Sequence, residues 1–227
     1  MMDVNSERRR YDAPIRRERT EASRRRMLDC ARQLFVGNGY AATSVEDIAA
    51  AAGVGRRSIY DAFGSKRGIL LALLDQLAPQ EEQRFNTALA QAAGDATVQL
   101  GLAVGFITTL YARAIDILDM VHAAGGADSD LAALDREGER RRLQAQRSTV
   151  RDWHRRGLLS TGMNASTAAD ILWTMTSPHL YRMLVVERGW SKARFRGWLI
   201  DQLTHELLTD PALTPDQPWR THPSAKR

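Results

Sequence analysis

The stretch from residue 44 to residue 63, SVEDIAAAAGVGRRSIYDAF, constrains the fold of this chain more than any other segment. It predicts two short amphipathic helices separated by a turn that contains glycine. Two short helices around one tight turn are typical of a helix-turn-helix. The apolar side chains of the first helix recur at spacings of three and four, which places them on one helical face: Val45, Ile48, Ala49 and Ala52.

The sequence also marks where the first of these helices begins and ends. Thr43 with Glu46, or Ser44 with Asp47, fits a capping box, in which a hydroxyl accepts from a free backbone amide and the carboxylate accepts from the cap backbone. Gly53 follows the last alanines and can adopt the positive φ at which many helices end. We therefore expect the second helix to begin near residue 55.

The second helix is expected to divide its side chains between a small core and solvent. Val54, Ile59 and Phe63 point inward in this prediction. Residues at the start of a recognition helix contact base edges in the major groove, where an arginine can donate two hydrogen bonds to guanine. A pair of solvated arginines on an ordinary helical hairpin is the alternative interpretation. The residues predicted to face away from the core are Arg56, Arg57, Ser58 and Tyr60.

The distribution of charge favours nucleic-acid binding over that alternative. The net charge is +5, and residues 1–70 hold 14 lysines and arginines against 9 acidic residues. The remainder of the chain is balanced, so the whole net charge lies in the third that contains the helical hairpin. A basic patch in this position is what a DNA-binding surface requires.

The rest of the chain predicts an all-α protein. Residues 1–20 are expected to form a basic, disordered arm that contains Pro14, followed by a first helix over 21–37 and a fourth helix from Lys66 to Ala78. The tail at 209–227, which is rich in proline, is predicted to be loose. Further helices are predicted near 81–92, 96–122, 130–156, 165–187 and 191–208.

Composition places the protein in the cytoplasm. The single cysteine, Cys30, excludes an internal disulfide framework and fits a reducing compartment. The N-terminus lacks the apolar segment of a signal peptide, and the sequence shows no apolar run near the roughly 20 residues that a membrane span needs. We therefore expect no membrane partner.

No catalytic or cofactor site is expected. The five histidines show no metal-ligand spacing, and one cysteine cannot form a cysteine cluster. The chain contains no G-x-S-x-G nucleophile motif, no phosphate-binding P-loop and no dinucleotide-binding glycine motif after a strand. We therefore predict a protein that is not an enzyme and that needs neither a cofactor nor a metal.

The segment from Met27 to Leu74 resembles the N-terminal DNA-binding domain of TetR-type transcriptional regulators. The matching positions run in one register and include Gly39-Tyr40, Ala52-Gly53-Val54 and Ile59-Tyr60. The resemblance implies a DNA-binding domain over 21–81, with the helix-turn-helix at 44–63, and a helical ligand-binding and dimerisation domain over 82–208. It also implies a homodimer on a double-stranded palindromic operator, with half-sites about 34 to 36 Å apart.

The same resemblance assigns roles to individual residues. Thr43, Tyr60 and Lys66 would contact phosphate, and the groove contacts would come from Arg56, Arg57 and Ser58. Two positions depart from the family pattern. Gly55 replaces the usual serine or threonine at the cap of the recognition helix, and Ala62 replaces a histidine or tyrosine that would supply another phosphate contact.

Candidate residues of the C-terminal domain fall into two sets. The first set would line a cavity for a small-molecule effector: Phe106, Tyr111, Met120, His122, Trp153 and Trp173. The second forms apolar stripes in a segment similar to the dimerisation helices of one TetR subgroup: Leu180, Met183, Leu184, Phe195, Trp198, Leu199 and Leu203. Without the resemblance, ordinary core is the simpler interpretation of each set.

The function predicted from these features is a sequence-specific repressor that a small molecule releases from its operator. Two alternatives stay open at this point. One is an architectural protein that binds DNA without sequence preference, and the other is a helical small-molecule-binding protein with weak DNA binding. Operator preference and the effect of the Arg56-Arg57 pair discriminate between them.

Overall fold

The computed structural model describes residues 4–76, 79–92, 94–126 and 128–208. These residues form an all-α fold, as predicted, and an isolated antiparallel bridge joins Leu159 to Leu208. The helices are α1 (Val4–Asn38), α2 (Val45–Ala52), α3 (Arg56–Phe63), α4 (Lys66–Asp75), α5 (Pro79–Gln91), α6 (Ala96–Ala124), α7 (Ser129–Arg155), α8 (Ala165–Met175), α9 (Pro178–Tyr181), a π-helical segment (Arg182–Glu187) and α10 (Lys192–Leu207).

The first helix corrects the prediction of a disordered arm over residues 1–20. Helix α1 begins at Val4 instead of near residue 21, and it continues through Pro14 to Asn38. Arginine and glutamate are good helix formers, and no glycine interrupts the stretch before Gly37. The high arginine content of residues 1–20 therefore did not predict a disordered backbone correctly. The predicted loose tail at 209–227 lies outside the described residues.

The helix-turn-helix forms between the boundaries that the sequence predicts. Of the two candidate capping boxes, Ser44 with Asp47 is present: the Asp47 amide donates to Ser44 Oγ at 3.0 Å, and the Ser44 amide donates to Asp47 Oδ2 at 2.9 Å. The Ser44 hydroxyl also donates to Asp47 Oδ2, at 2.6 Å, and this bond together with the one from the Ser44 amide lowers the pKa of Asp47. Gly53 ends α2 at φ 66°, a conformation that costs other residues steric strain.

One apolar core holds the helix-turn-helix against α1 and α4. Phe35, Ile48, Ile59 and Leu70 are fully buried within it. The same core includes residues of the C-terminal half, Ile117 and Val121 from α6 and Leu131 from α7. The helix-turn-helix and the long helices therefore share packed side chains, which gives a physical route by which one can influence the other.

The predicted single helix over 165–187 is interrupted. Helix α8 ends at Met175, and α9 begins at Pro178, where the Leu180 amide donates to Ser177 Oγ at 3.2 Å. Proline has no backbone N–H and disfavours helical geometry in the preceding residue, so it starts a new helix. The chain then continues as the π-helical segment, so Pro178 divides the stretch that was predicted as one helix.

Helix α6 also departs from the expectation that no apolar run is long enough to span a membrane. By length and composition its 29 residues would suffice. A central helix of a folded domain meets the same criterion, and α6 packs against α1, α5, α7, α9 and α10. It also carries Arg113, Asp116 and Asp119, and Asp116 pairs with an arginine of α1.

Candidate nucleic-acid interface

The outer face of α3 is a short polar surface whose orientation is set by one buried residue. Ile59 is fully buried in the core. Residues one and two positions away do not share the side of Ile59, so this anchor turns Arg57, Ser58 and Tyr60 toward solvent. All four candidate contact residues of the helix are exposed: Arg56, Arg57, Ser58 and Tyr60. The structure therefore groups them as the sequence predicts.

Arg57 is the side chain most available to a ligand. Its side chain is 93% exposed, and its Nε lies 3.7 Å from Asp61 Oδ2 one turn later. An exposed ion pair at this distance contributes at most a few tenths of a kcal/mol. The guanidinium can therefore leave Asp61 for a base edge at little energetic cost.

Arg56 is held more firmly, by contacts that the sequence analysis did not anticipate. Its Nη1 lies 2.7 Å from Glu46 Oε1 of α2, and its Nη2 donates to the Tyr60 hydroxyl at 3.3 Å. The hydrogen bond to Tyr60 and the charge of Glu46 raise the pKa of Arg56. A ligand that binds the Arg56 guanidinium would therefore have to compete with Glu46.

The start of α3 leaves its first amides without a side-chain cap. Gly55 occupies the cap position at φ −72° and offers no side-chain acceptor, while the Ser58 amide donates to the Gly55 carbonyl at 2.9 Å. The partial positive charge of a helix N-terminus attracts anions such as phosphate. Gly55 thus weakens the cap, as expected. It also leaves backbone amides at the start of α3 without a side-chain acceptor, next to Arg56 and Arg57.

Thr43 is placed differently from the predicted phosphate contact. Its side chain is 2% exposed, and its hydroxyl is within hydrogen-bond distance of the carbonyls of Leu34, at 3.1 Å, and Gly39, at 2.9 Å. A hydroxyl has one proton, so it donates to these two acceptors in alternation. Thr43 fixes the turn between α1 and α2, and its hydroxyl does not face DNA.

Lys66 is also committed within the protein. Its Nζ donates to the carbonyls of Tyr40, at 2.9 Å, and Thr43, at 3.0 Å, and it lies 4.3 Å from the centre of the Tyr40 ring. These contacts join the start of α4 to the turn that precedes α2. Lys66 therefore has a structural role in this fold, and its contact with phosphate stays a prediction.

Two contacts that the sequence did not reveal fix the far end of α3. Arg24 Nη1 donates to the Ala62 carbonyl at 2.7 Å, and its guanidinium lies 4.3 Å from the centre of the Phe63 ring. A Cβ on Gly68 of α4 would lie 1.9 Å from the Phe63 carbonyl oxygen. Only glycine allows α4 to approach α3 this closely.

The six predicted effector residues do not line one cavity. Phe106 stacks on Phe85, Met120 packs on the N-terminal core, and His122 pairs with Asp135 at the surface. Trp153 is buried at the opposite end of α7. Because α6 and α7 are long, a set spread along both cannot converge on one small molecule.

Only two of those six residues lie near each other in the middle of the domain. The Tyr111 hydroxyl donates to the Thr176 carbonyl at 2.8 Å, and burial raises the pKa of Tyr111. Trp173 lies one turn before Thr176 on the same helix. The remaining four residues either pack against other side chains or lie at the surface.

The predicted dimerisation residues also divide into two groups. Phe195, Leu199 and Leu203 are fully buried within the single chain, so they cannot supply the surface of an interface. The expectation from the resemblance is wrong for these three, because the stripe on α10 faces the chain's own core. Leu180, Leu184 and Trp198 are partly buried, and Met183 is 41% exposed. Val186, in the same segment as Met183, is 57% exposed.

An ion pair connects the helix-turn-helix unit to the C-terminal helices. Arg32 of α1 donates from Nε to Asp116 Oδ2 at 2.9 Å and from Nη2 to Asp116 Oδ1 at 2.6 Å. The same Nη2 also donates to the Arg113 carbonyl of α6. A two-bond contact of this kind restricts orientation as well as distance, so it fixes the orientation of Arg32 on α1 relative to Asp116 on α6.

Comparisons with known proteins agree with this arrangement. The family model "Bacterial regulatory proteins, tetR family" matches residues 27–73. The chain is 29% identical over 197 residues to the HTH-type transcriptional regulator CymR of Pseudomonas putida, across 85% of this chain and 92% of CymR. It is 28% identical over 191 residues to the HTH-type transcriptional regulator TtgR, also of Pseudomonas putida, across 76% of this chain and 86% of TtgR.

Two solved structures share the fold over most of their length. NalD, the secondary repressor of the MexAB-OprM multidrug efflux pump in Pseudomonas aeruginosa, superposes with a TM-score of 0.68 at 21% identity, across 85% of this chain and 99% of NalD. A SmeT–triclosan complex superposes with a TM-score of 0.68 at 21% identity, across 86% and 96%. At this identity the likeness shows the fold alone.

Proposed function

Because the chain belongs to the TetR family of bacterial transcriptional regulators, we propose that it is a repressor that binds a palindromic operator as a homodimer. A small-molecule effector releases it. In this proposal the DNA-binding domain spans residues 21–81, and the effector-binding and dimerisation domain spans residues 82–208. Operator binding would place the protein in the cytoplasm.

The observation that carries this proposal is the outer face of α3. It presents Arg57 with only a weak intramolecular contact and Arg56 beside the Tyr60 hydroxyl. A planar guanidinium can donate two hydrogen bonds to one guanine, and hydroxyls bind phosphate oxygens. The combination supports sequence recognition by Arg57 and positioning on the backbone by Ser58 and Tyr60.

A homodimer is supported by the exposed apolar side chains beside α9. Met183 and Val186 both belong to the π-helical segment, and Trp198 of α10 is only partly buried. Exposed apolar surface of this kind is typical of an interface. A two-fold dimer binds two half-sites with equal geometry, which is why a palindrome is expected.

Effector release requires that the effector prefers a conformation that binds DNA less well. We propose that such a conformation tilts α4 and separates the two α3 helices from the spacing of one DNA turn. The Lys66 contacts to the Tyr40 and Thr43 carbonyls would carry a movement of α4 to the start of α2. The CymR and TtgR likeness and the SmeT–triclosan complex make an effector of moderate size a reasonable expectation.

The proposal is tested by selecting bound duplexes from a random pool with the purified protein. A palindromic consensus with half-sites about one helical turn apart is the expected result. Enrichment without a consensus, with affinity that depends on salt alone, would favour the architectural alternative. Absence of enrichment at low salt would favour a small-molecule-binding protein with weak DNA binding.

A further inference from the structure

One ion pair joins the two helices of the helix-turn-helix on their exposed side. Arg56 Nη1 of α3 lies 2.7 Å from Glu46 Oε1 of α2, and both side chains are more than half exposed. Glu46 takes no part in the capping box of α2, which Ser44 and Asp47 form. Its carboxylate is an acidic group beside the surface proposed to contact DNA, a polyanion, and this placement needs an explanation.

Neither stability nor phosphate binding explains the position of Glu46. An exposed ion pair contributes little to stability, because water and salt screen it. A phosphate oxygen could accept from Arg56, but its charge would repel the carboxylate that lies 2.7 Å from Arg56 Nη1. A ligand that suits both side chains must therefore offer a donor to Glu46 and an acceptor to Arg56, side by side.

Both side chains keep hydrogen-bonding capacity while they remain in contact. A carboxylate has two oxygens with about four lone-pair sites, so the contact of Oε1 with Arg56 leaves Glu46 able to accept further bonds. A guanidinium has five N–H donors, and one of those on Arg56 Nη2 is donated to the Tyr60 hydroxyl at 3.3 Å. The pair therefore presents an acceptor and several donors next to each other.

The major-groove edge of a C·G base pair has the complementary pattern. Cytosine N4 is a donor and guanine O6 is an acceptor. These two atoms are hydrogen-bonded to each other within the base pair, so they lie about 2.9 Å apart. The distance between Glu46 Oε1 and Arg56 Nη1, 2.7 Å, is similar.

An A·T base pair fits the same two side chains less well. Adenine N6 and thymine O4 also place a donor beside an acceptor, but adenine N7 is a further acceptor that repels a carboxylate, and the thymine methyl group crowds a guanidinium at O4. Guanine N7 instead gives Arg56 a second acceptor. The pattern of donors and acceptors therefore favours C·G.

From these observations we propose that Glu46 and Arg56 together recognise one C·G base pair in each half-site. Glu46 accepts from cytosine N4, and Arg56 donates to guanine O6 and N7. Glu46 is then a specificity-determining residue on α2, in addition to the contacts proposed for α3. The inference rests on the proposed function, since α3 must enter the major groove before Glu46 can reach a base edge.

The test repeats the selection from a random duplex pool with the wild-type protein, Glu46→Ala and Arg56→Ala. We expect the wild-type consensus to contain, in each half-site, a C·G pair at which both variants lose their preference. The two substitutions lie on different helices, so joint recognition predicts that they relax the same base pair. The Glu46→Ala selection decides the test by itself if Arg56→Ala binds too weakly to be selected.

Anisotropy titrations then measure the strength of this recognition. The wild-type protein should bind a duplex in which that C·G pair is changed to T·A about tenfold or more weakly than the consensus duplex. Glu46→Ala, which lacks the acceptor, should lose about twofold or less on the same change of base pair.

Glu21→Ala is the matched control. It removes the same charge from an exposed glutamate of α1 and is expected to keep both the consensus and the full discrimination. The fold should tolerate the two site substitutions, because Ile59 and not Arg56 anchors α3 in the core. Circular dichroism confirms that each variant is folded.

A Glu46→Ala consensus identical to that of the wild-type protein would overturn the inference, as would relaxation of different base pairs in Glu46→Ala and Arg56→Ala. Tighter binding of Glu46→Ala to all duplexes with unchanged preference would show that Glu46 only holds Arg56 away from DNA, and would also overturn it. In each of these cases the wild-type protein still selects a palindrome, so the proposed function stands. A wild-type pool without a consensus would instead contradict the proposed function, together with the inference that rests on it.

Discussion

At the scale of single residues, Lys66 was expected to contact DNA phosphate, and in the structure it binds backbone carbonyls of its own chain. Its ammonium donates to two carbonyls of the turn between α1 and α2, one of them belonging to Thr43. We predict that Lys66→Ala lowers the free energy of unfolding by about 1–3 kcal/mol, because two carbonyls lose a charged donor. Thermal or urea unfolding measures this loss.

The same variant is expected to weaken binding to all DNA sequences alike, since the turn supports the whole helix-turn-helix. Anisotropy titrations with the selected operator and with a scrambled duplex measure both affinities. Arg67→Ala is the control, because Arg67 is an exposed neighbour on the same helix. Unchanged stability together with reduced affinity would show instead that the Lys66 ammonium contacts DNA.

At the scale of elements, the α2 capping box gives a stability contribution that depends on pH. Hydrogen bonds from Ser44 lower the pKa of Asp47, so the folded state favours the ionised carboxylate. The contribution is present above the unfolded pKa of about 3.9 and is lost as the pH falls through the lower folded value. Asp47→Ala should therefore lower the melting temperature at pH 7, and the difference from wild type should shrink toward about pH 3.

The control for this series is Asp61→Ala, which removes an acidic residue of α3 whose nearest cation, Arg57 Nε, is 3.7 Å away. We expect a smaller effect at pH 7. A difference between Asp47→Ala and wild type that stays constant over the whole pH range would contradict a role for the ionised carboxylate.

A second prediction at this scale concerns the connection of α1 to α6. Arg32→Met keeps the length of the side chain but removes both hydrogen bonds to Asp116. The pair is about one-third exposed, so we expect a loss of stability of at most about 1 kcal/mol. The factor by which an effector lowers operator affinity should fall several-fold, because rotation of α6 would no longer move α1.

That factor is obtained by measuring effector binding by calorimetry with and without operator, and operator binding by anisotropy with and without effector. Arg25→Met is a suitable control because Arg25 is an exposed arginine of the same helix. If Arg32→Met leaves the coupling factor at the wild-type value, communication between the domains does not depend on this ion pair.

At the scale of the whole molecule, the account requires an interface at the π-helical segment. Val186 is 57% exposed, and a charge there would have to be buried on dimerisation. Val186→Lys should therefore yield monomers in light scattering and weaken operator binding by about 100-fold or more, since two linked half-site contacts become independent. Val98→Lys is the control, because Val98 is an exposed apolar residue at the start of α6. A dimeric Val186→Lys would place the interface elsewhere.

Local signals predicted the helix-turn-helix well, whereas tertiary contacts decided the roles of its flanking residues. A capping box and a positive-φ glycine act within a few residues, so the start of α2 and its end at Gly53 could be predicted from sequence, although the choice of Ser44 with Asp47 over Thr43 with Glu46 needed the structure. The acceptors of Thr43 and Lys66 are backbone carbonyls, which no side-chain pattern reveals.

The C-terminal half was less predictable for a related reason. An apolar stripe at helical spacing has the same pattern whether it meets its own chain or another, so Phe195 could not be distinguished from an interface residue before the core was known. The Nε1 of Trp173, which is unpaired within the described part of the chain, was equally hidden, because an unpaired N–H is a property of the surroundings and not of the residue.

The central claim is that α3 contacts base edges through Arg57. The most direct measurement is the ratio of affinities for the selected operator and for a scrambled duplex, taken for the wild-type protein, Arg57→Ala and the exposed α7 control Arg147→Ala at one salt concentration. The account predicts that Arg57→Ala reduces this ratio by roughly 10- to 100-fold, about 1–3 kcal/mol, while Arg147→Ala leaves it unchanged. An Arg57→Ala protein with the wild-type ratio would contradict the account.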